Sequence, residues 1–189
     1  MKKTAVGPMT LLYPKPALLI GANIEGKPNF MTAAWAGIVN QKPPMLSVAI
    51  RRERYTYLGL EENQTFSVNI PSEDLVAETD YCGLVSGAKN DKSAVCGFTV
   101  FYGKLKTAPL IEQCPVNLEC SLVQKVNFKT HVLCIGQIEK VHVNDECLTN
   151  GKPDVEKVRP LVFSSGVEYA YYGLGARLAT GFQVGKELM

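Results

Sequence analysis

Polar and apolar residues alternate with a period of two along much of the chain, the pattern of strands buried on one face. Phe66-Ser67-Val68-Asn69-Ile70 alternates cleanly, and Pro71 then lacks the donor that the next ladder position needs, which ends the strand. Asn117 to Leu122 repeats the pattern, and Ala17 to Ile20 and Leu46 to Ile50 read as two further strands. Val132 to Ile138, continuing through Val141-His142-Val143, is nearly continuous in apolar residues, so it predicts a long strand buried on one face and partly on the other. At least six strands with short connections, and no long helical crossovers of the kind parallel pairing requires, predict a barrel rather than an open parallel sheet.

Helical signals are few. Thr56 is placed to cap a short helix running to Glu62, and Ser72, followed by Glu73 and Asp74, to cap a second through Leu84. Tyr169 to Phe182 mixes aromatics with glycines and predicts a C-terminal helix or wrap. No internal repeat or flexible linker divides the chain, so residues 1–189 read as a single, mainly β domain with a few short peripheral helices.

Composition narrows the classes of function. Hydrophobic residues at 46% and charged residues at 20% describe an ordinary globular chain, neither disordered nor collagenous nor coiled-coil. Twenty Lys plus Arg against 18 Asp plus Glu leave a net charge of +2, too little for the concentrated basic field of a nucleic-acid binder. The uncharged stretch Pro28 to Gln41 falls short of the about 20 apolar residues a bilayer span needs, so no membrane segment is expected. Pro8, Pro14, Lys15 and Pro16 interrupt anything that might follow Met1-Lys2-Lys3 as a signal sequence. With nothing to mark secretion, the six cysteines read as reduced thiols and the protein as cytoplasmic.

Common catalytic signatures are missing: no glycine-rich phosphate loop, no Gly-x-Ser-x-Gly, no His-Glu-x-x-His and no Cys-x-x-Cys. His131 and His142 are the only histidines, too few for a histidine-rich metal site. Cys120 shares an alternating face with Leu118 and Leu122, and Cys134 sits within an apolar strand, so both read as structural thiols rather than ligands.

One segment stands out, Asn29-Phe30-Met31-Thr32-Ala33-Ala34-Trp35, followed by Pro43-Pro44 and the strand Met45 to Ile50. Two adjacent alanines after a threonine leave backbone N–H and C=O groups with little side-chain bulk over them, which suits the close approach of a flat heteroaromatic ring. Arg51, Arg52 and Arg54 then precede Tyr55-Thr56 at the predicted helix start, where guanidinium, hydroxyl and free N–H groups together suit an anion such as phosphate. The residues alone leave other readings open: tight packing for the alanines, a solvated rim for the arginines and a core position for Trp35.

The order of these pieces closely resembles the flavin reductase-like family of FMN-binding split barrels, and within it the flavoredoxins. The resemblance runs from Asn29-x-Met31-Thr32-Ala33-Ala34-Trp35 through Pro43-Pro44, Thr56, Phe66-x-Val68-Asn69-Ile70-Pro71, Asp91-Lys92 and Ala108-Pro109-Leu110. It continues through Thr130-His131 to Gly136 and ends at Tyr169 and Leu174-Gly175. It implies a six-stranded Greek-key barrel, a homodimer, and FMN held near the subunit interface. By the same resemblance Asn29, Met31, Thr32, Ala33, Ala34 and Trp35 line the isoalloxazine, with backbone contacts from Ser47, Val48 and Ala49. Arg52, Tyr55 and Thr56 hold the phosphate, and Lys92 supplies a further positive group; read without it, Lys92 is a surface lysine.

His131 corresponds to the family's histidine in a Gly-Asp-His or Gly-Thr-His motif, here preceded by Lys129-Thr130, so the usual glycine is missing. The implied catalytic role is a hydrogen bond to flavin or nicotinamide that stabilises negative charge on the reduced ring. A barrel histidine bonded to backbone is the alternative. Phe163 is a candidate ring contact or simply a core phenylalanine. The activity implied is that of an NAD(P)H-dependent flavin reductase passing electrons through FMN to an acceptor. Two alternatives are a flavoredoxin-like carrier with tightly bound FMN that exchanges electrons with a redox protein partner, and a cofactor-free barrel used as a binding scaffold.

Overall fold

The computed structural model describes residues 1–189. A short strand β1 (Lys15–Pro16) leads into β2 (Leu18–Ile24), β3 (Lys27–Ala33), β4 (Ala36–Asn40) and β5 (Met45–Ile50). Helix α1 (Tyr55–Asn63) precedes β6 (Thr65–Ile70), and α2 (Val76–Leu84) and α3 (Lys92–Val95) precede the short pair β7 (Val100–Phe101) and β8 (Leu110–Ile111). The two longest strands, β9 (Val116–Asn127) and β10 (Val132–Val143), follow, then the short β11 (Leu148–Thr149) and β12 (Lys152–Pro153), helix α4 (Val155–Val158), β13 (Val162–Ser165) and β14 (Tyr169–Tyr172).

Seven strands form one antiparallel sheet in the order β3-β2-β6-β9-β10-β5-β4. Alternation decides which side chains meet. Leu18, Ile20 and Ala22 of β2 share a buried cluster with Met31 and Ala33 of β3, Leu46, Val48 and Ile50 of β5, Phe66 and Val68 of β6, and Val132 and Cys134 of β10. Strands β3 and β5 stand far apart in the sheet order, so one cluster holding both requires the sheet to curl around a single interior. Gly136 helps the curl: a Cβ there would stand 2.5 Å from Phe66 Cζ, and the β9–β10 register slips beside it.

The sheet therefore has seven strands where six were expected, and its end strands β3 and β4 do not pair with each other, so the curled sheet is not closed by hydrogen bonds. The linker Ala34-Trp35 spans the gap, and Trp35 O accepts from the Ala49 N–H at 2.8 Å.

A second layer covers the outer face of β2 and β3, where Leu19 and Phe30 pack with Cys82 of α2 and with Phe98, Ile111 and Cys114. That layer buries the polar face of β9 as well: Asn117 and Glu119 are enclosed. Strands β1, β13 and β14 make a separate three-stranded sheet, in which Lys15 pairs with Phe163.

Both helix starts differ in detail from the sequence reading. Helix α1 begins after Arg54, and Thr56 lies inside its first turn. Ser72 precedes a single 3-10 turn, Glu73–Leu75, without a side-chain cap bond, and α2 begins at Val76. Of the helix or wrap expected over Tyr169 to Phe182, the helix does not form: strand β14 is followed by an irregular arm that ends in a short 3-10 turn, Val184–Leu188, since Gly173, Gly175 and Gly181 disfavour helix, and the Phe163 ring packs against Tyr169 and Tyr171.

Candidate functional site

β3 is an edge strand, paired only with β2. The Phe30 carbonyl turns away from β2 to accept from Lys92 Nζ at 2.8 Å. In an antiparallel ladder the backbone groups of alternate residues face the same side, so the N–H and C=O of Thr32, two residues on, also face the open edge. This edge is the wall of a trough built from three adjoining clefts.

The first cleft, of about 220 Å³, lies at the N-terminus of α1 and is lined by Arg51, Arg54, Tyr55, Thr56 and Lys92, with Ser86 and Gly87 of the loop after α2 opposite them. No side chain caps α1, leaving its first N–H groups to any ligand. Lys92 is buried, not a surface residue. Its Nζ donates to Phe30 O and Cys82 O, both at 2.8 Å, and no carboxylate pairs with it. Burial holds its ammonium below the usual lysine range, and repulsion from the Arg54 guanidinium adds to this. Arg54 donates to Gly83 O at 3.1 Å, and the only acid lining the cleft, Glu53, pairs with Arg51 at 3.4 Å.

The second cleft, about 150 Å³, shares Met31, Arg51 and Arg54 with the first and adds Thr32, Ala33, Ala34, Trp35, Ala49 and His131. Trp35 is exposed and stacks on His131, ring centroids 4.7 Å apart and planes inclined by 26°. His131 Nδ1 shares a 2.9 Å hydrogen bond with the Thr130 hydroxyl, which leaves Nε2 as the ring atom free to meet a ligand. The third cleft, about 510 Å³ and mostly apolar, shares Ala34, Trp35 and Ala49 with the second and is walled by Ser47, Leu133 and the N-terminal segment Met9 to Pro16.

Most of the predicted residues thus come together, in different capacities. Asn29 is buried and donates to Thr56 Oγ1 at 2.6 Å, behind the first cleft. Thr32 Oγ1 is bonded to Thr79 O. Ser47 and Ala49 present side chains to the trough while Val48 lies in the core, and the Ala49 N–H is taken by Trp35 O. Arg52 and Phe163 are not brought in: Arg52 Nη2 donates to Asn127 Oδ1 at 2.7 Å, and Phe163 packs among tyrosines of the three-stranded sheet. Loop Leu84 to Gly87 and segment Met9 to Pro16 were not anticipated as lining; the turn dipeptide Ser86-Gly87 was the one available signal.

The residues present fit FMN. Three cations against one acid at an uncapped helix start match a phosphate dianion, and a buried ammonium without a counter-ion gains its charge partner when an anion enters. The small side chains of Ala33, Ala34 and Ala49 beside the open β3 edge leave room for a flat ring.

Fold and trough define a class: a curled antiparallel β protein with a cationic cleft at a helix start beside an open edge strand flanked by small residues. The chain belongs to the flavin reductase-like family, whose "Flavin reductase like domain" model matches residues 9–170. Its structure is similar to that of flavoredoxin from Methanosarcina acetivorans, with a TM-score of 0.95 at 42% identity over 100% of both chains. It is similar also to flavoredoxin of Desulfovibrio vulgaris (Miyazaki F), with a TM-score of 0.91 at 38% identity, covering 97% of this chain and 100% of the other. An uncharacterized protein of Archaeoglobus fulgidus is 35% identical over 156 residues, 82% of this chain and 86% of that one. No helix is long and apolar enough to cross a membrane.

Proposed function

We propose that the chain is an FMN-binding oxidoreductase that passes electrons between NADH or NADPH and an acceptor, as flavin reductases do. The observation that carries this reading is the continuity of the trough, cationic at the α1 start and flat, small-residued and backbone-rich along the β3 edge. FMN, when bound, supplies hydride and single-electron chemistry, so the chain needs to provide only position, charge and access. Arg51, Arg54, Lys92 and the α1 N–H groups bind the phosphate. The Thr32 backbone and Ala33-Ala34 orient the ring. Trp35 and the segment Met9 to Pro16 exclude water from it, and His131 holds a proton at Nε2 beside developing negative charge. In the same reading two chains associate with FMN near their interface, as split-barrel homodimers.

The likeness to two flavoredoxins over almost the whole chain favours a second reading, an electron carrier with tightly held FMN and slow nicotinamide turnover. One anaerobic experiment separates the readings. FMN is added to the protein, its absorption bands are recorded, and NADH or NADPH follows. Rapid bleaching is expected of the reductase. Bands that persist until a reduced iron-sulfur or haem protein is added mark the carrier. No spectral perturbation of added FMN would refute both and leave a cofactor-free binding scaffold.

A further inference from the structure

Three segments that border the trough carry charge of one sign. The turn 51–54, the loop 84–90 after α2 and the β9–β10 hairpin end 123–131 hold Arg51, Arg52, Arg54, Lys89, Lys125 and Lys129 against a single acid, Glu53. In a chain of net charge +2 this leaves the remainder net acidic, so the positive charge is gathered around the trough. Glu53 pairs with Arg51 at 3.4 Å and Glu61 of α1 with Lys125, but Arg52, Lys89 and Lys129 have no carboxylate partner. The turn and the hairpin are joined: Arg52 Nη2 donates to Asn127 Oδ1 at 2.7 Å, and the Phe128 N–H closes the hairpin end on His131 O at 2.8 Å. Among these cations stand apolar side chains without cover, Leu84 at 75% exposure, Phe128 at 57% and Trp35 at 42%.

We propose that this border is the docking surface for an acidic electron-carrier protein. The proposal rests on the FMN reading and deepens its carrier form. Arg54 and Lys92 line the first cleft, whereas Arg52, Lys89, Lys129 and Phe128 line none of the three clefts. A small ligand is held by groups inside a pocket, while charges and an aromatic ring on the outer border fit the surface of another protein. Unpaired cations there attract a carboxylate-rich face and orient it before contact. The exposed apolar side chains then supply a small contact of the size seen in transient redox encounters, below about 1,200 Å². His131, which the Phe128 N–H bonds, lines the second cleft, so a carrier seated on Phe128 stands beside the ring wall. Each reduced four-iron cluster of such a carrier releases one electron, so two clusters reduce one FMN, which takes up two protons from water.

The test is titration calorimetry of an acidic two-cluster ferredoxin, in its oxidised form, into the protein with FMN and without it. The wild type is expected to bind, more weakly as salt is raised. The double variant Arg52→Glu, Lys129→Glu should raise the dissociation constant at least roughly tenfold at low salt. Phe128→Ser should raise it too, with the salt dependence kept. Lys140→Glu, Lys152→Glu makes the same change of charge at two exposed lysines elsewhere and should alter binding far less. Anaerobic reduction of FMN by the reduced ferredoxin should slow in the same order, while dithionite reduces the FMN of all four proteins alike. No binding by the wild type, or equal affinity in wild type and Arg52→Glu, Lys129→Glu, overturns the docking surface. Weaker binding of NADPH with unchanged ferredoxin affinity in that variant assigns the cations to a nucleotide phosphate and overturns it as well. Absence of any spectral change in added FMN instead refutes the flavin reading, and the carrier's role with it.

Discussion

Asn29 Nδ2 donates to Thr56 Oγ1 at 2.6 Å, joining the first polar residue of the β3 motif to the first turn of α1. Both side chains are buried, so each satisfies a polar group that water cannot reach. The bond fixes the open β3 edge relative to the helix start. The two walls of the first cleft are thereby tied to each other.

Gly87 protects this bond. A Cβ at position 87 would stand 1.8 Å from Asn29 Oδ1 and 2.7 Å from its Cγ, so Gly87→Ala must push Asn29 away from Thr56. Loss of a buried hydrogen bond with its donor left unpaired costs about 1–3 kcal/mol. Urea unfolding of Gly87→Ala should show that loss, and FMN titration should show weakened binding. Wild-type values in both would remove the coupling.

The proposed phosphate site divides the arginines. Arg54 lines the first cleft, whereas Arg52 is engaged by Asn127 outside it. Arg54→Ala should weaken FMN by about 1.5–3 kcal/mol, the scale of a charge-assisted bond, and leave riboflavin, which has no phosphate, nearly unaffected. Arg52→Ala should alter neither. Equal losses for FMN and riboflavin in Arg54→Ala would place Arg54 against the ring or the fold instead.

What the sequence makes legible follows its periodicity. Alternation at Phe66 to Ile70 and the apolar run at Val132 to Val143 each lie within an observed strand, because burial of one face repeats every two residues. Which of Arg51, Arg52 and Arg54 faces the cleft depends on the turn that closes when Arg54 N donates to Arg51 O at 3.0 Å, and no period encodes that. The segment Met9 to Pro16 reaches the trough only because Lys15 pairs with Phe163, a partner far along the chain. The polar face of β9 reads as solvent-facing, yet Asn117 and Glu119 are covered by the second layer, bonded to Ile111 O and to the Lys104 and Leu105 N–H groups. Contacts of long sequence separation are what alternation leaves out.

The thiols follow from the same burial. All six cysteines are free, and burial pushes the Cys82 and Cys120 thiols up to about 12 and that of Cys134 to about 11. Too little thiolate exists near neutral pH for fast alkylation. Iodoacetamide followed by mass spectrometry should label these three slowly in the native protein and promptly in denaturant. Rapid native labelling of Cys120 or Cys134 would mean that the curled sheet opens.

Glu119 ties β9 to the covering layer. Burial raises its carboxyl, but hydrogen bonds from the Leu105 N–H, His142 and the Lys104 N–H outweigh burial and hold it below the usual carboxylate range. A carboxyl whose folded pKa is depressed lends stability above its unfolded pKa, about 4.3, and loses it as pH falls through the folded value. Glu119→Gln should therefore be less stable than wild type at pH 7 by about 1–3 kcal/mol, with the gap closing as the pH drops below about 4. Thermal unfolding at several pH values measures both curves. A gap that stayed constant down to pH 3 would show that the carboxylate's charge contributes nothing, leaving shape alone to explain why a Cβ at Gly103, which would stand 2.1 Å from Glu119 Oε1, has no room.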